Sequence, residues 1–166
     1  MRLLLCAPLL GLLALLQSSL LPHFSIIGAH PDLVLLAVVS WTLLRGLTEG
    51  LTWAFVGGLW LEALSGAPFG LSLLALVIVA FLVSPLETTL FRQHIVFLIA
   101  TVTAASFVNG AVYLLLLRLS GNPGAALAAL WRIVTPAALY TGLLTPIVYP
   151  GFRWLHRITW REQLEW

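Results

Sequence analysis

The chain has few charged residues, no lysine and a single cysteine. Only 8% of its 166 residues are charged, whereas a soluble domain carries about 25%. So few charges leave too little polar surface to face water. Because 61% of the residues are hydrophobic and the mean hydropathy is +1.06, the composition predicts an all-α integral membrane protein.

The net charge is +2, and because the chain has no lysine, all of its basic residues are arginines. The basic residues are eight arginines scattered along the chain, so there is no basic face that could follow the phosphates of a nucleic acid. We therefore expect no nucleic-acid partner. Cys6 is the only cysteine, which excludes an intrachain disulfide and a cysteine metal cluster.

Catalytic motifs are also missing. The sequence contains no P-loop and no GxGxxG, HExxH, CxxC or GxSxG motif. His23, His30 and Asp32 are close in sequence, but their spacing is a weak pattern for metal ligands. The apolar segments also lack the paired acids that a proton relay or a lipid-phosphate enzyme generally needs. The sequence therefore predicts no enzyme, no metal site and no cofactor.

Apolar segments separated by short loops fill the chain, and a bilayer crossing takes about 20 apolar residues. This pattern predicts a single transmembrane domain, 1–166, with six spans at residues 3–21, 33–44, 49–64, 71–86, 95–117 and 136–152.

Arginine placement gives the predicted orientation. With a cytoplasmic N-terminus, six spans put Arg118 and Arg132 outside and the other six arginines inside, as the positive-inside rule requires. Five spans would place the basic C-terminal tail outside. We therefore predict cytoplasmic N- and C-termini, with residues 153–166 forming a basic, tryptophan-rich cytoplasmic tail. This tail is suited to the membrane interface or to a docking partner.

The stretch from Thr48 to Gly70 combines the most unusual features, and we expect the other apolar segments to pack around it. Gly57 and Gly58 permit close approach of another helix. Glu62 is an acid in an apolar helix, which costs about 2.5 to 3.5 kcal/mol at a bilayer centre. Its carboxylate could contact a partner helix, an arginine or a substrate; alternatively, it could extend to the outer headgroups.

Two further groups of polar residues are candidate sites. Ser106, Asn109 and Gly110 lie within the fifth apolar segment, where small and polar residues commonly join helices. Arg45 and Glu49 are spaced as a solvated cytoplasmic pair or a cytoplasmic contact. Arg92, in the predicted inner loop, is a third candidate for cytoplasmic contact.

The order of these features resembles the rod shape-determining protein MreD family. The resemblance rests on LQSSLLP at the end of the first span, on PDLVLLAVVSWTLLRG after it and on EGLTWAFVGGLWLEALSGAPFGLSLLAL. It covers roughly residues 15–85, while the second half matches in hydropathy and length. Where the family generally has Asp after the glycine pair, this chain has Glu62.

The resemblance implies a non-enzymatic scaffold in the bacterial inner membrane and a fold similar to the substrate-binding S component of energy-coupling-factor transporters. Its implied partners are MreC, MreB, the glycosyltransferase RodA and a penicillin-binding transpeptidase, surrounded by membrane lipids. The residues that we predict to hold the membrane helix of MreC are Ala54, Gly57, Gly58, Glu62, Pro68 and Gly70.

A transport subunit that binds a small molecule or a lipid is the alternative function. Such a protein needs a pocket lined by several polar and aromatic groups, usually near the outer face. The only set of residues in this sequence that fits is Trp60, Glu62, Asn109 and Tyr113.

Overall fold

A computed structural model describes residues 2–19, 31–65, 70–87, 95–121 and 130–161. These residues are nearly all helical, and none of them forms a strand. The six helices are α1 (Arg2–Ser19), α2 (Leu33–Arg45), α3 (Leu47–Ser65), α4 (Leu71–Val83), α5 (Ile95–Leu119) and α6 (Thr135–Arg161). A 3₁₀ turn, Ser84–Glu87, extends α4, and a π-helical turn, Leu130–Val134, leads into α6.

The predicted all-helical fold with six helices is confirmed, and each predicted span overlaps one helix. Among the described residues, two helices are long and apolar enough to cross a membrane, Ile95–Leu119 and Arg132–Leu155. Cys6–Ser19, Leu33–Arg45 and Leu71–Leu86 are apolar but shorter. The predicted tail is not a separate element at its start, because α6 continues without a break to Arg161 with Pro146 and Pro150 inside it.

Helix α2 lies at the centre of the bundle. Every residue from Val34 to Leu44 is buried, and α2 contacts each of the other five helices. A helix that is hydrophobic all round is suited to such a site. The prediction that the other segments pack around α3 is therefore wrong: α3 packs mainly against α1, α2 and α4, on one side of the bundle.

Both ends of α2 have local sequence signals. Asp32 is the N-cap, and its Oδ1 accepts a hydrogen bond from the Leu35 backbone N–H at 3.0 Å. Gly46 ends the helix with φ of 86°, a positive value that glycine adopts without strain. The helix has 13 residues, so it is only about 20 Å long. A buried helix this short leaves room at its ends for other groups.

Small residues let α3 approach its neighbours closely. A Cβ at Gly57 would lie 2.8 Å from Val34 Cγ1 on α2, and a Cβ at Gly58 would lie 2.5 Å from the Cα of Leu73 on α4. Backbone atoms of α4 therefore occupy the space that a side chain at position 58 would need. The paired glycines serve packing within the chain.

Candidate functional site

A cavity of about 480 Å³ lies at one end of the bundle. All six helices contribute to it: the C-terminal ends of α1 and α3 and the C-terminal half of α5, together with the starts of α2, α4 and α6. In the predicted orientation this is the outer end. Its polar lining includes Gln17, Asp32, Ser72, Ser106, Asn109 and Tyr113, and most of the remaining wall is apolar.

Asp32 connects three elements beside this cavity. Its Oδ2 accepts from Asn109 Nδ2 on α5 at 3.4 Å, and its backbone N–H donates to Thr141 Oγ1 on α6 at 3.0 Å. Gln17 of α1 supports the same corner, because its Oε1 accepts from the Val34 N–H at 3.2 Å. Asp32 thus joins the start of α2 to α5 through its carboxylate and to α6 through its backbone.

The charge of Asp32 is costly to place here. Burial raises the pKa of the Asp32 carboxyl above its usual value, and hydrogen bonds from the Leu35 backbone, the Gln17 side chain and the Val34 backbone oppose this rise without cancelling it. Desolvation of a carboxylate favours its neutral form, whereas hydrogen bonds to the carboxylate favour the charged form. A cation at the cavity surface would act in the same direction as these hydrogen bonds.

The Asn109 side chain has a hydrogen-bond partner for its amide nitrogen but, in the part of the chain that the structure describes, none for its amide oxygen. An ionised carboxylate can only accept hydrogen bonds, so the amide nitrogen faces Asp32 and the carbonyl oxygen lies on the other side. Asn109 Oδ1 is buried and has no hydrogen-bond partner among the described residues. A buried acceptor without a donor costs about 1 to 3 kcal/mol.

Glu62 turns inward, although the sequence allowed it to reach the headgroups. The residue is 3% exposed, and its Oε1 accepts hydrogen bonds from the backbone N–H groups of Gly70 at 2.8 Å and Leu73 at 3.1 Å. These donors begin α4, whose first turn has no other side-chain cap. Glu62 therefore joins the end of α3 to the start of α4.

The other residues predicted to bind a partner lie beside Glu62. Ala54, Gly57 and Gly58 are buried on the same stripe of α3 and face helices of this chain. Gly70 has φ of 98° and forms the N-cap of α4, and Pro68 lies outside the described residues. A partner helix would consequently touch the exposed neighbours of these residues, and the predicted MreC site stays a prediction.

The predicted packing residues on α5 lie against α6 and the cavity. Ser106 is buried, and a Cβ at Gly110 would lie 2.5 Å from Val134 Cγ1 in the π-helical turn. Ser106, Asn109 and Gly110 also line the cavity. One stretch of α5 therefore serves both helix packing and the cavity wall.

At the opposite end of the bundle, Arg45 and Glu49 form an ion pair with an N–O distance of 3.5 Å. The expectation of a solvated pair is wrong for Arg45, whose side chain is 4% exposed. Its guanidinium lies 5.4 Å from the ring centroid of Trp41, which stacks on Trp53 at 4.3 Å. Trp41 also donates from Nε1 to Glu49 Oε2 at 3.1 Å. Arg92 lies outside the described residues.

The proposed transport pocket was only partly identified from sequence. Asn109 and Tyr113 line the cavity, but Trp60 and Glu62 do not. The Trp60 ring instead covers Gly11 of α1, where a Cβ would lie 3.0 Å from it. Sequence analysis missed the place of Asp32 in the cavity. The available signal was an acid directly before an entirely apolar run.

Comparison with protein families decides what this bundle is. The model of the rod shape-determining protein MreD matches residues 1–158. The chain belongs to the MreD family. It is therefore a rod shape-determining membrane protein, from a family that forms part of the MreBCD system and is not a known enzyme family. Neither the curated proteins nor the solved structures that were compared give a match.

Proposed function

We propose that this MreD-family chain is a non-enzymatic membrane scaffold of the cell-elongation complex. In this role it binds MreC and helps to couple MreB filaments to peptidoglycan synthesis by RodA and a penicillin-binding transpeptidase. The observation that carries the proposal is the family match over residues 1–158. The six-helix bundle supports it, because a packed bundle offers rigid outer faces to the membrane helices of partners.

The proposed topology has six crossings, with both termini in the cytoplasm of a bacterial cell. Arginine placement supports it, and so does the arrangement of the cavity lining, which comes from alternate ends of successive helices as an up-and-down bundle requires.

Cysteine labelling tests this topology. Ser120 and Thr48 are both exposed, at opposite ends of the bundle. Cys6, the native thiol, is buried. We expect a membrane-impermeant maleimide to label Ser120→Cys in intact cells and to label Thr48→Cys only after permeabilisation. The reverse pattern would contradict the proposed orientation.

For MreC we propose the outward side of α3 and the turn that follows. The inward stripe of α3 is occupied by α2 and α4, which leaves Phe55, Leu59 and Ala63 exposed on one side. Glu62 holds the start of α4 against the end of α3. This helix pair is therefore fixed in shape before a partner arrives, so less entropy is lost on binding.

Substitution of Leu59 tests the proposed surface. Leu59 is 37% exposed, and Leu143 on α6 is 72% exposed, so tryptophan at either site has room without disturbing the core. We expect Leu59→Trp to lower the MreC recovered with the tagged protein at least about fivefold, because bulk at a close helix contact separates the helices. Leu143→Trp, the matched control, should leave recovery unchanged.

Membrane levels of both variants must equal the wild-type level for this comparison to hold. Equal MreC recovery with Leu59→Trp and with wild type would remove the α3 surface while leaving the family assignment intact. Loss with Leu143→Trp alone would move the contact to α6.

The second candidate function is a substrate-binding or lipid-binding subunit similar to the S components of energy-coupling-factor transporters. The cavity at the end of the bundle is the observation that favours it, because its volume is typical of small-molecule sites. Native mass spectrometry of the purified protein separates the two: a stoichiometric single-span partner supports the scaffold, and a retained metabolite supports transport.

A further inference from the structure

The cavity has a chemical bias that scaffolding does not explain. Its volume of about 480 Å³ lies within the usual range of ligand sites, about 300 to 1,000 Å³. Much of its wall is apolar, with Leu76, Leu114 and Val134 on three different elements. Such a wall fits the hydrocarbon part of a ligand.

The polar part of the wall has one carboxyl group and no basic group among the described residues. Asp32 is its only ionisable group apart from the Tyr113 phenol, and no arginine or histidine is among the described lining residues. The positive end of α2 offsets the carboxylate by only about half a charge. A carboxyl group without a basic neighbour favours a cation as its partner, because the cation stabilises the ionised form.

The hydrogen-bonding groups point to the same class of ligand. Asn109 Oδ1 is a buried acceptor without a donor, and it belongs to the side chain that donates to Asp32. A ligand group with several N–H donors would serve the carboxylate, and it would serve this oxygen as well once the Asn109 side chain turned the oxygen toward the cavity. A head whose only polar group is a phosphate or a carboxylate offers only acceptors and would be repelled at this point of the wall.

We propose that this cavity binds an amphiphile with a primary ammonium head, the head lying at Asp32 and Asn109 and the apolar body against Leu76, Leu114 and Val134. The ammonium could belong to the headgroup of phosphatidylethanolamine or to a free alkylamine. This site is separate from the proposed MreC surface, so either assignment can fail without the other.

A second cavity provides an internal contrast. It has a volume of about 330 Å³, lies between α4 and α5, and has no charged side chain in its lining, which includes Val79, Leu86 and Phe97. A lipid held there would be retained whatever its headgroup. Dependence on Asp32 therefore distinguishes the two cavities.

Asp32→Asn is the decisive variant, because asparagine caps a helix about as well as aspartate but removes the charge. Glu49→Gln is the matched control: it removes a carboxylate from the opposite end of the bundle. Ala137→Phe fills the cavity and keeps Asp32, so it tests the site even if Asp32→Asn folds poorly.

The full-length protein would be purified from nanodiscs that contain equal amounts of phosphatidylethanolamine and phosphatidylglycerol. The lipid that stays bound would be measured by native mass spectrometry. In a second arm, n-octylammonium and n-octanol would be compared by the shift in melting temperature. We expect wild type and Glu49→Gln to prefer the ammonium ligand in at least one arm. Asp32→Asn and Ala137→Phe should weaken that binding roughly tenfold or more, because charge-assisted hydrogen bonds are lost or blocked.

A preference in the lipid arm identifies the lipid as the source, and a preference in the octylammonium arm alone identifies a free amine. Equal retention of both lipids, with octylammonium acting no better than octanol, would overturn the proposal. So would undiminished binding to a folded Asp32→Asn variant, or to Ala137→Phe where Asp32→Asn does not fold.

Discussion

Replacing Gly58 with alanine is expected to lower the stability of the purified protein by about 3 kcal/mol. The added Cβ would lie 2.5 Å from the Leu73 Cα and 3.0 Å from its backbone nitrogen. Backbone atoms cannot rotate away, so α3 and α4 must separate along their contact. The measurement is the melting temperature in detergent, followed by tryptophan fluorescence and by size-exclusion chromatography after heating.

Gly151→Ala is the matched control for this substitution. Both glycines are helical, but a Cβ at Gly151 meets no atom within 4 Å. Alanine there should leave stability unchanged or raise it by up to about 1 kcal/mol, because alanine is the better helix former. Equal melting temperatures for the two variants would show that α3 and α4 are not in backbone contact.

Removing the Glu62 carboxyl should have an effect of similar size. Glu62→Ala leaves the N–H groups of Gly70 and Leu73 without their acceptor, and each buried donor left unsatisfied costs about 1 to 3 kcal/mol. We expect a loss of about 2 to 5 kcal/mol in the free energy of unfolding. The same melting measurement applies.

Glu62→Gln separates this capping role from a partner role. Glutamine keeps one oxygen for both donors, and its amide nitrogen replaces Oε2, which has no hydrogen-bond partner in the described structure. Its stability should therefore lie within about 1 kcal/mol of wild type. If Glu62→Gln remained folded but lost MreC from the purified complex, the carboxylate would act on the partner directly.

Glu62 also shows why the sequence supported two interpretations of one side chain, a contact with a partner and a contact within the chain. Sequence analysis identified an acid that had to find a partner inside an apolar helix, and the cost of an unpaired acid in the membrane made that inference sound. The partner proved to be the first turn of α4, only eight residues further along the chain at Gly70. Gly70, one of the two residues that donate to Glu62, has a positive φ.

The Asp32 corner shows the opposite case. The capping of α2 by Asp32 is a local interaction, three residues apart, and it follows from residue type and position. Its contact with Asn109 spans 77 residues and that with Thr141 spans 109. Such contacts depend on which faces of α5 and α6 turn inward. Helix α5 is apolar nearly all round, so its sequence does not mark the inward face.

Arg45 shows a related limit of prediction from residue spacing. Spacing predicted its pairing with Glu49, and the ion pair is present. Spacing could not show that Trp41 would lie under the guanidinium while Trp53 and Phe152 extended the aromatic cluster. Phe152 belongs to α6, so the aromatic cluster also depends on α6 reaching this end of the bundle.

The sequence alone determined that this is an all-α membrane protein with six helices, and it also determined the approximate ends of those helices. The chain has too few charged residues to form a water-facing surface, so its class follows from composition. Glycine, proline and capping residues end helices through local backbone chemistry, so the helix ends follow from local sequence. Only the tertiary structure decided that α2 is central, that Gly57, Gly58 and Glu62 serve the chain's own packing, and that Asp32 and Asn109 meet at a cavity. When nearly every helix face is apolar, hydrophobicity cannot choose between faces. That choice is made by close packing and by the few polar groups that must find partners.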